Sequence, residues 1–174
     1  SVYIVNTGAF LPGPAVDNDT IERVLGFVDG SPSRLRQRIL NANGIQTRHY
    51  AINDQQQTVY LNEALAVEAA KTCLDRSHID VSDITMLSVA SSQGDLLLPG
   101  MASMVQAGLE MPAVEIHTAH GICSSSIMAL KAASNAIRLE QHHNALVIAA
   151  ELASRLLKKS RYEAVKKDGE TVVD

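Results

Sequence analysis

The sequence predicts a layered α/β fold with a largely parallel sheet. Three apolar runs of strand length, 84–90, 113–118 and 145–150, alternate with segments whose apolar residues recur at helical intervals. Strands separated by helices are expected to pair in parallel through crossover connections. Residues 145–150 are apolar throughout, the pattern of a central strand covered on both faces.

Residues 2–5 are a β-branched run followed by Asn6, Thr7 and Gly8, which predicts an N-terminal strand running into a loop at Leu11-Pro12-Gly13-Pro14. Asn18, Asp19 and Thr20 can cap a short helix reaching about Leu25. Ser31-Pro32 can open a second helix over 33–41, closed near Gly44, and 45–51 reads as extended. Over 58–77, Leu61, Leu65, Ala69 and Leu74 share a helical face, with Thr58 as the cap and Lys71 and Arg76 toward the negative end. A polar loop at 91–95 separates the strand at 84–90 from a small-residue helix bounded by Gly100 and Gly108. Residues 1–157 read as one domain, and 158–174 as a polar basic tail or the start of a further segment; 171–174 look like a strand barely begun.

With 174 residues and 46% hydrophobic content, the chain can bury a core. A net charge of −4 argues against a nucleic-acid partner. Arg155, Lys158, Lys159, Arg161, Lys166 and Lys167 form a local basic cluster, either a solvated tail or a docking surface for an acidic partner. The two cysteines lie in dissimilar contexts, with no CxxC and no histidine pair at ligand spacing, so neither a disulfide framework nor a metal site is predicted. A reducing cytoplasm is the expected compartment. No apolar run approaches the roughly 20 residues of a membrane span, and no export signal is recognisable.

The segment 117–133 carries the chemistry. A strand ends, Gly121 permits a sharp turn, and a small-residue helix over 124–140 begins with its first turn opening at Cys123. Amides and dipole at a helix N-terminus favour thiolate over thiol and can stabilise an oxyanion on a carbonyl the sulfur attacks. The arrangement is related to the G-x-S-x-G elbow, with sulfur for oxygen and Ser125 in place of the second glycine. The alternative is a cysteine packed as a small hydrophobe, the reading that suits Cys73, mid-helix among Ala69, Ala70 and Leu74. His117 and His120 are candidates to assist Cys123 as base, or else hydrogen-bonded structural or interface histidines. His142 and His143 are expected to serve the helix dipole and solvent, and His49 and His78 are expected at surface or turn positions.

Several motifs in order resemble one family: Gly44-Ile45-Gln46-Thr47-Arg48-His49-Tyr50, the strand at 83–90, Leu98-Pro99-Gly100, the cysteine elbow, and the run 145–151 ending in Glu151. Together, over about residues 2–157, they resemble the N-terminal half of 3-oxoacyl-acyl-carrier-protein synthase III, a thiolase-like condensing enzyme. The resemblance implies a thiolase-like half-fold with a buried helix after the elbow. It also implies a cytoplasmic acyltransferase of fatty acid biosynthesis, of the beta-ketoacyl synthase type. Cys123 would accept an acyl group and pass it to a carbanion from malonyl-acyl-carrier protein, with release of carbon dioxide. No resident cofactor is implied; acyl-coenzyme A or an acyl-carrier-protein thioester is the substrate. The implied partners are acyl carrier protein and a second copy in a homodimer, with Leu98 at the far end of an acyl pocket contributed across the interface.

The family completes its site with a His and an Asn from the C-terminal half, in motifs these residues do not contain, so that half is expected on a longer chain or a partner. Arg38 and Ala42 stand where family members carry a Trp and an Arg that grip coenzyme A, and His117 to His120 replace small apolar residues. These departures point toward a carrier-protein donor or a specialised acyl group. Two other readings stand beside this one: a non-catalytic assembly or binding half-subunit, and a cysteine-dependent thioester hydrolase using His117 or His120.

Overall fold

The computed structural model describes residues 1–167. In chain order the elements are β1 (Val16–Asp17), α1 (Ile21–Leu25), α2 (Arg36–Asn43), β2 (Thr47–Arg48), α3 (Asn62–Asp75), β3 (Met86–Ala90), α4 (Met101–Gly108), β4 (Glu115–Ala119), α5 (Ser125–Arg138), β5 (Ala145–Ala149), α6 (Ser154–Leu157) and α7 (Lys159–Lys167). They belong to two compact units, Ser1–Phe10 with Leu61–Glu151, and Leu11–Tyr60 with the residues from Leu152.

The first unit is the α/β layer structure. Its sheet has the order β4-β3-β5 and is parallel throughout, with Met86 level with Glu115 on one side and Ala145 on the other. Alternate residues face opposite layers. Leu87 and Val89 of β3, with Leu146 and Ile148 of β5, pack in the main core against Ala66, Val67 and Ala70 of α3 and Ala102 and Val105 of α4. On the other face Met86 and Ala90 meet Ala129, Ala133 and Ala136 of α5. Alanines at these α5 positions let the helix lie close to the sheet. Its other side is open: Ile127 and Met128 remain exposed.

The strand at 145–150 differs from expectation. It is covered by helices on both faces, yet among the described strands it is an edge, and β3, buried at every position, is the central one. Apolar runs report cover on the faces, whereas strand order is set by the crossovers. Residues 2–5 form no strand among the described elements, and Tyr3, Ile4 and Val5 are exposed. The segment is tied down just beyond them, where Asn6 Nδ2 donates to the Cys73 carbonyl at 2.9 Å. Helix α3 starts at Asn62; Thr58 instead forms an isolated antiparallel bridge with Ile52. Asp95, far along the chain, accepts from the Glu63 amide at 2.8 Å and does the capping that Thr58 was expected to do.

In the second unit β1 and β2 pair antiparallel. Thr20 stands at the N-cap of α1, as the sequence predicts, and is held there by Asp17, whose Oδ1 accepts from the Thr20 hydroxyl at 2.7 Å and its amide at 2.8 Å. Those bonds hold the Asp17 carboxyl below its ordinary value. Helix α2 runs to Asn43 and closes on Gly44 in the left-handed region, φ 70°. Residues 158–167, read from sequence as the start of an irregular basic tail, include α7, supported by a Lys159–Glu163 pair one turn apart. The strand expected at 171–174 lies outside the described residues.

Candidate active site

The three parallel strands end together, at Ala90, Ala119 and Ala149, and polar loops gather beyond them. Ligands of open parallel sheets bind at this end. From β4 the chain passes through His120 and Gly121 into a single tight turn, Ile122–Ser124, and then into α5. Cys123 lies in that turn, one residue earlier than a helix opening at the cysteine would require, and is exposed.

Local bonds define the turn. The Ser124 amide donates to Gly121 O at 3.0 Å, the Ser124 hydroxyl donates to the same oxygen at 2.8 Å, and the Ser125 amide donates to Ile122 O. The Ser125 hydroxyl accepts from the Gly121 amide at 3.3 Å and donates to Ile122 O. Ser125 is buried and therefore acts as the cross-tie of the elbow. The Ser124 and Ser125 amides are consumed by these bonds, whereas the Cys123 amide takes part in none of them. Ile122 adopts φ 49°, a left-handed conformation costly for a β-branched residue, so strain of roughly 1–3 kcal/mol sits immediately before the sulfur. A Cβ on Gly121 would lie 2.5 Å from Met128 Sδ, so any larger residue there must displace that side chain and shift the turn.

The two histidines near the cysteine part company. His117 stands beside Ser88 in the parallel register, and its Nδ1 is 2.9 Å from the Ser88 hydroxyl, which also donates to Ala129 O at 3.2 Å. That bond ties β4 to β3 and α5 and gives His117 a structural partner inside the sheet. His120 lies beyond the strand and is exposed, with Nδ1 3.1 Å from the Ser91 carbonyl. A carbonyl only accepts, so this nitrogen carries the proton and Nε2 of the neutral ring keeps its lone pair.

Sequence reading missed the hub that holds Ser91. Asn62, wholly buried, directs Nδ2 to Ser91 Oγ at 2.8 Å, Gln93 O at 3.1 Å and Ala150 O at 3.3 Å. Glu151 accepts from the Ser92 amide at 2.6 Å and its hydroxyl at 2.8 Å. The only signal was a polar residue opening an apolar helix, which sequence assigns equally to solvent.

Leu98 lies in an exposed apolar loop, 85% accessible beside Leu97 at 97%, and the Leu98–Pro99 peptide is cis. His142 corrects the sequence reading: it turns inward, Nδ1 3.1 Å from Thr85 Oγ1 and Nε2 2.9 Å from Glu115 Oε2, because the return from α5 passes beneath the strand starts. His143 and His78 are exposed, and His49 bonds Gly13 O in the second unit at 3.0 Å. Cys73 is half-buried in α3, and burial pushes its thiol pKa up. Among the described residues no group of His, Cys, Asp and Glu is placed to hold a metal, and no helix is long and apolar enough to cross a membrane.

The family model for 3-oxoacyl-[acyl-carrier-protein (ACP)] synthase III matches residues 119–167, a span that opens at the end of β4 and takes in the Cys123 turn and α5. The beta-ketoacyl-[acyl-carrier-protein] synthase III of Ehrlichia ruminantium (strain Welgevonden) is 32% identical over 157 residues, 90% of this chain and 46% of the relative. Among solved structures, the tetronic acid condensing enzyme AbyA1 superposes with a TM-score of 0.76 at 25% identity, covering 87% of this chain and 46% of that one. The 3-oxoacyl-[acyl-carrier-protein] synthase III of Aquifex aeolicus VF5 gives 0.71 at 26% identity, covering 87% and 45%. The chain thus spans about half the length of the relatives it matches, and its fold is the thiolase-like half-fold of these condensing enzymes.

Proposed function

We propose that this N-terminal half of a 3-oxoacyl-[acyl-carrier-protein] synthase III-like fold carries the acyl-accepting cysteine of a condensing enzyme, with Cys123 as the nucleophile. The observation that carries the reading is an exposed cysteine on a strained, cross-tied turn at the carboxyl ends of parallel strands, inside the span matched by the family. Cys123 Sγ attacks the carbonyl of an acyl-coenzyme A or acyl-carrier-protein thioester, and its proton passes to His120 Nε2. The oxyanion forms against the Cys123 amide. Collapse expels the donor thiolate, which takes the proton back from His120, leaving the acyl group on sulfur. The thioester is substrate, and the reading needs no resident cofactor.

In the second half-reaction the bond to the malonyl carboxylate breaks, carbon dioxide leaves, and the resulting enolate attacks the acyl carbonyl as Cys123 departs as thiolate. That enolate needs donors, which the family resemblance assigns to the C-terminal half. This chain is therefore acylated without completing a condensation. Ile127 and Met128, exposed just beyond the cysteine on α5, support a surface completed by that half, on a longer chain or a partner. The free edge of β4 and the bare Leu97–Leu98 loop support a homodimer in which Leu98 bounds the partner's acyl pocket. Sedimentation as a monomer would remove the Leu98 assignment.

The test is intact-mass measurement after incubation with acyl-coenzyme A and acyl-carrier-protein thioesters of varied length. One acyl mass is expected on the chain and none on Cys123→Ala. Acyl groups that appear and then vanish as free acid would instead favour the thioester hydrolase.

A further inference from the structure

Helix α2 turns its apolar stripe to solvent. Leu35 at its N-cap, Ile39 and Ala42 stand four and three residues apart and so share one side of the helix. Leu35 and Ile39 are 56% and 57% accessible, Ala42 is exposed, and no residue of the helix is buried. The contact with the rest of the second unit is polar instead: Arg36 Nη1 pairs with Glu22 Oε2 at 3.2 Å, and the Ser33 amide donates to Glu22 Oε1 at 2.7 Å. An amphipathic helix that had only to sit on its own unit would present the opposite side.

The charges around the stripe indicate what covers it. Arg34 and Arg38, four residues apart beside the stripe, are exposed, and neither guanidinium has a hydrogen-bond or ion-pair partner among the described residues. Residues 30–53 hold four arginines and no Asp or Glu, in a chain whose net charge is −4. A second copy would bring the same positive charge to a symmetric contact, which disfavours self-association here. The other basic cluster, at 155–161, is partly spent within its own unit: Lys158 Nζ donates to Gln56 O at 3.0 Å, and Lys159 pairs with Glu163 at 3.2 Å. Helix α2 has no aromatic ring to stack on a nucleobase, so a nucleotide finds little to hold. Apolar anchors at helical spacing flanked by unpaired cations suit the surface of an acidic protein.

We propose that α2 is a docking surface for an acidic helical protein, and that this protein is the acyl carrier protein, with carboxylates against Arg34 and Arg38 and apolar residues over Leu35 and Ile39. Naming the carrier rests on the function proposed above; the surface itself does not. The consequence is that the chain recognises its donor through the carrier and not through coenzyme A.

The test is direct binding of fluorescently labelled acyl carrier protein to the whole chain, followed by anisotropy with no acyl group present, so that no chemistry enters the signal. Saturable binding that weakens as salt is raised is expected. Arg34→Glu with Arg38→Glu, and separately Leu35→Ser with Ile39→Ser, are expected to weaken it at least ~10-fold, with the denaturant midpoint unchanged because all four side chains lie in solvent. Arg34→Lys with Arg38→Lys keeps the charge and is expected to keep most of the affinity. Arg161→Glu, which reverses an exposed charge on α7, is expected to leave binding within about twofold of wild type. Wild-type affinity in the double reversal, or a larger loss from Arg161→Glu, overturns the inference. So does binding of phosphatidylglycerol vesicles in place of the carrier, or a dimer that the double reversal dissociates, because those results give the face to a membrane or to a second copy. Acylation of Cys123 is scored separately: a wild-type chain that binds the carrier through α2 but takes no acyl mass would cost the cysteine assignment and leave the docking surface standing.

Discussion

Helix α3 around Cys73 and the turn around Cys123 put the same side chain to opposite uses. Cys73 lies within a regular helix whose backbone is crowded from outside: a Cβ on Gly8 would stand 2.7 Å from Cys73 Cα and 2.8 Å from Ala69 O. Cys123 lies between a strand and a helix, after a residue in a left-handed conformation, and its side chain is in solvent. What separates them is the backbone that presents them. A continuous helix satisfies its own amides and leaves the thiol to pack, whereas a one-turn elbow leaves an amide over and turns the sulfur outward.

The sharpest way to break the comparison is acyl transfer itself. Cys123→Ala is expected to abolish covalent acylation, and Cys73→Ala to leave it within about twofold of wild type, since core thiols act as small hydrophobes. Acyl groups mapped to Cys73 by tandem mass spectrometry would reverse the two roles. Next in size is alkylation: near neutral pH, brief iodoacetamide treatment should label Cys123 at least ~10-fold faster than Cys73, because reactivity follows thiolate fraction and exposure.

The two glycines sharpen the comparison further. Gly8→Ala must push against backbone that cannot swing aside, so a stability loss of ~1–3 kcal/mol is expected in denaturant titration, with Cys123 labelling unchanged. Gly121→Ala meets the Met128 thioether, the flexible end of a half-exposed side chain. Its stability cost should be smaller, but acylation should slow as the elbow shifts. Equal effects of both substitutions on acylation would show that the elbow is not locally controlled.

The smallest effect concerns pH. Burial raises the Cys73 thiol above its unfolded value, so its contribution to stability is fully present below the unfolded pKa and is lost as pH rises through the higher folded one. Alkaline melts should therefore show a modest fall in stability that Cys73→Ala removes and Cys123→Ala does not.

Much of the layered fold was legible because its signals are local. The runs that became β3, β4 and β5 are apolar and short, the segments between them carry helical periodicity, and Gly44 and Gly121 sit where turns need them. The cysteine elbow was legible for the same reason: strand, glycine, cysteine and small-residue helix are contiguous in the chain. Other assignments failed where the deciding partner was distant. The cap of α3 came from Asp95 and not from Thr58, and His142 turned toward Thr85 and Glu115 and not to solvent.

The residues alone thus determined which segments become strands and helices, and that Cys123 stands at a break between them, since periodicity and turn chemistry act within a few residues. Only the tertiary structure decided that among the described strands β3 is central and β5 an edge, that His117 belongs to Ser88 while His120 belongs to the Ser91 carbonyl, and that Asn62 is buried against Ser91 in the loop after β3. Those outcomes depend on hydrogen bonds between residues about thirty positions or more apart, whose directions are set by strand order and register. Nothing in the immediate neighbours of a histidine or an asparagine specifies which carbonyl it will meet once the sheet has closed.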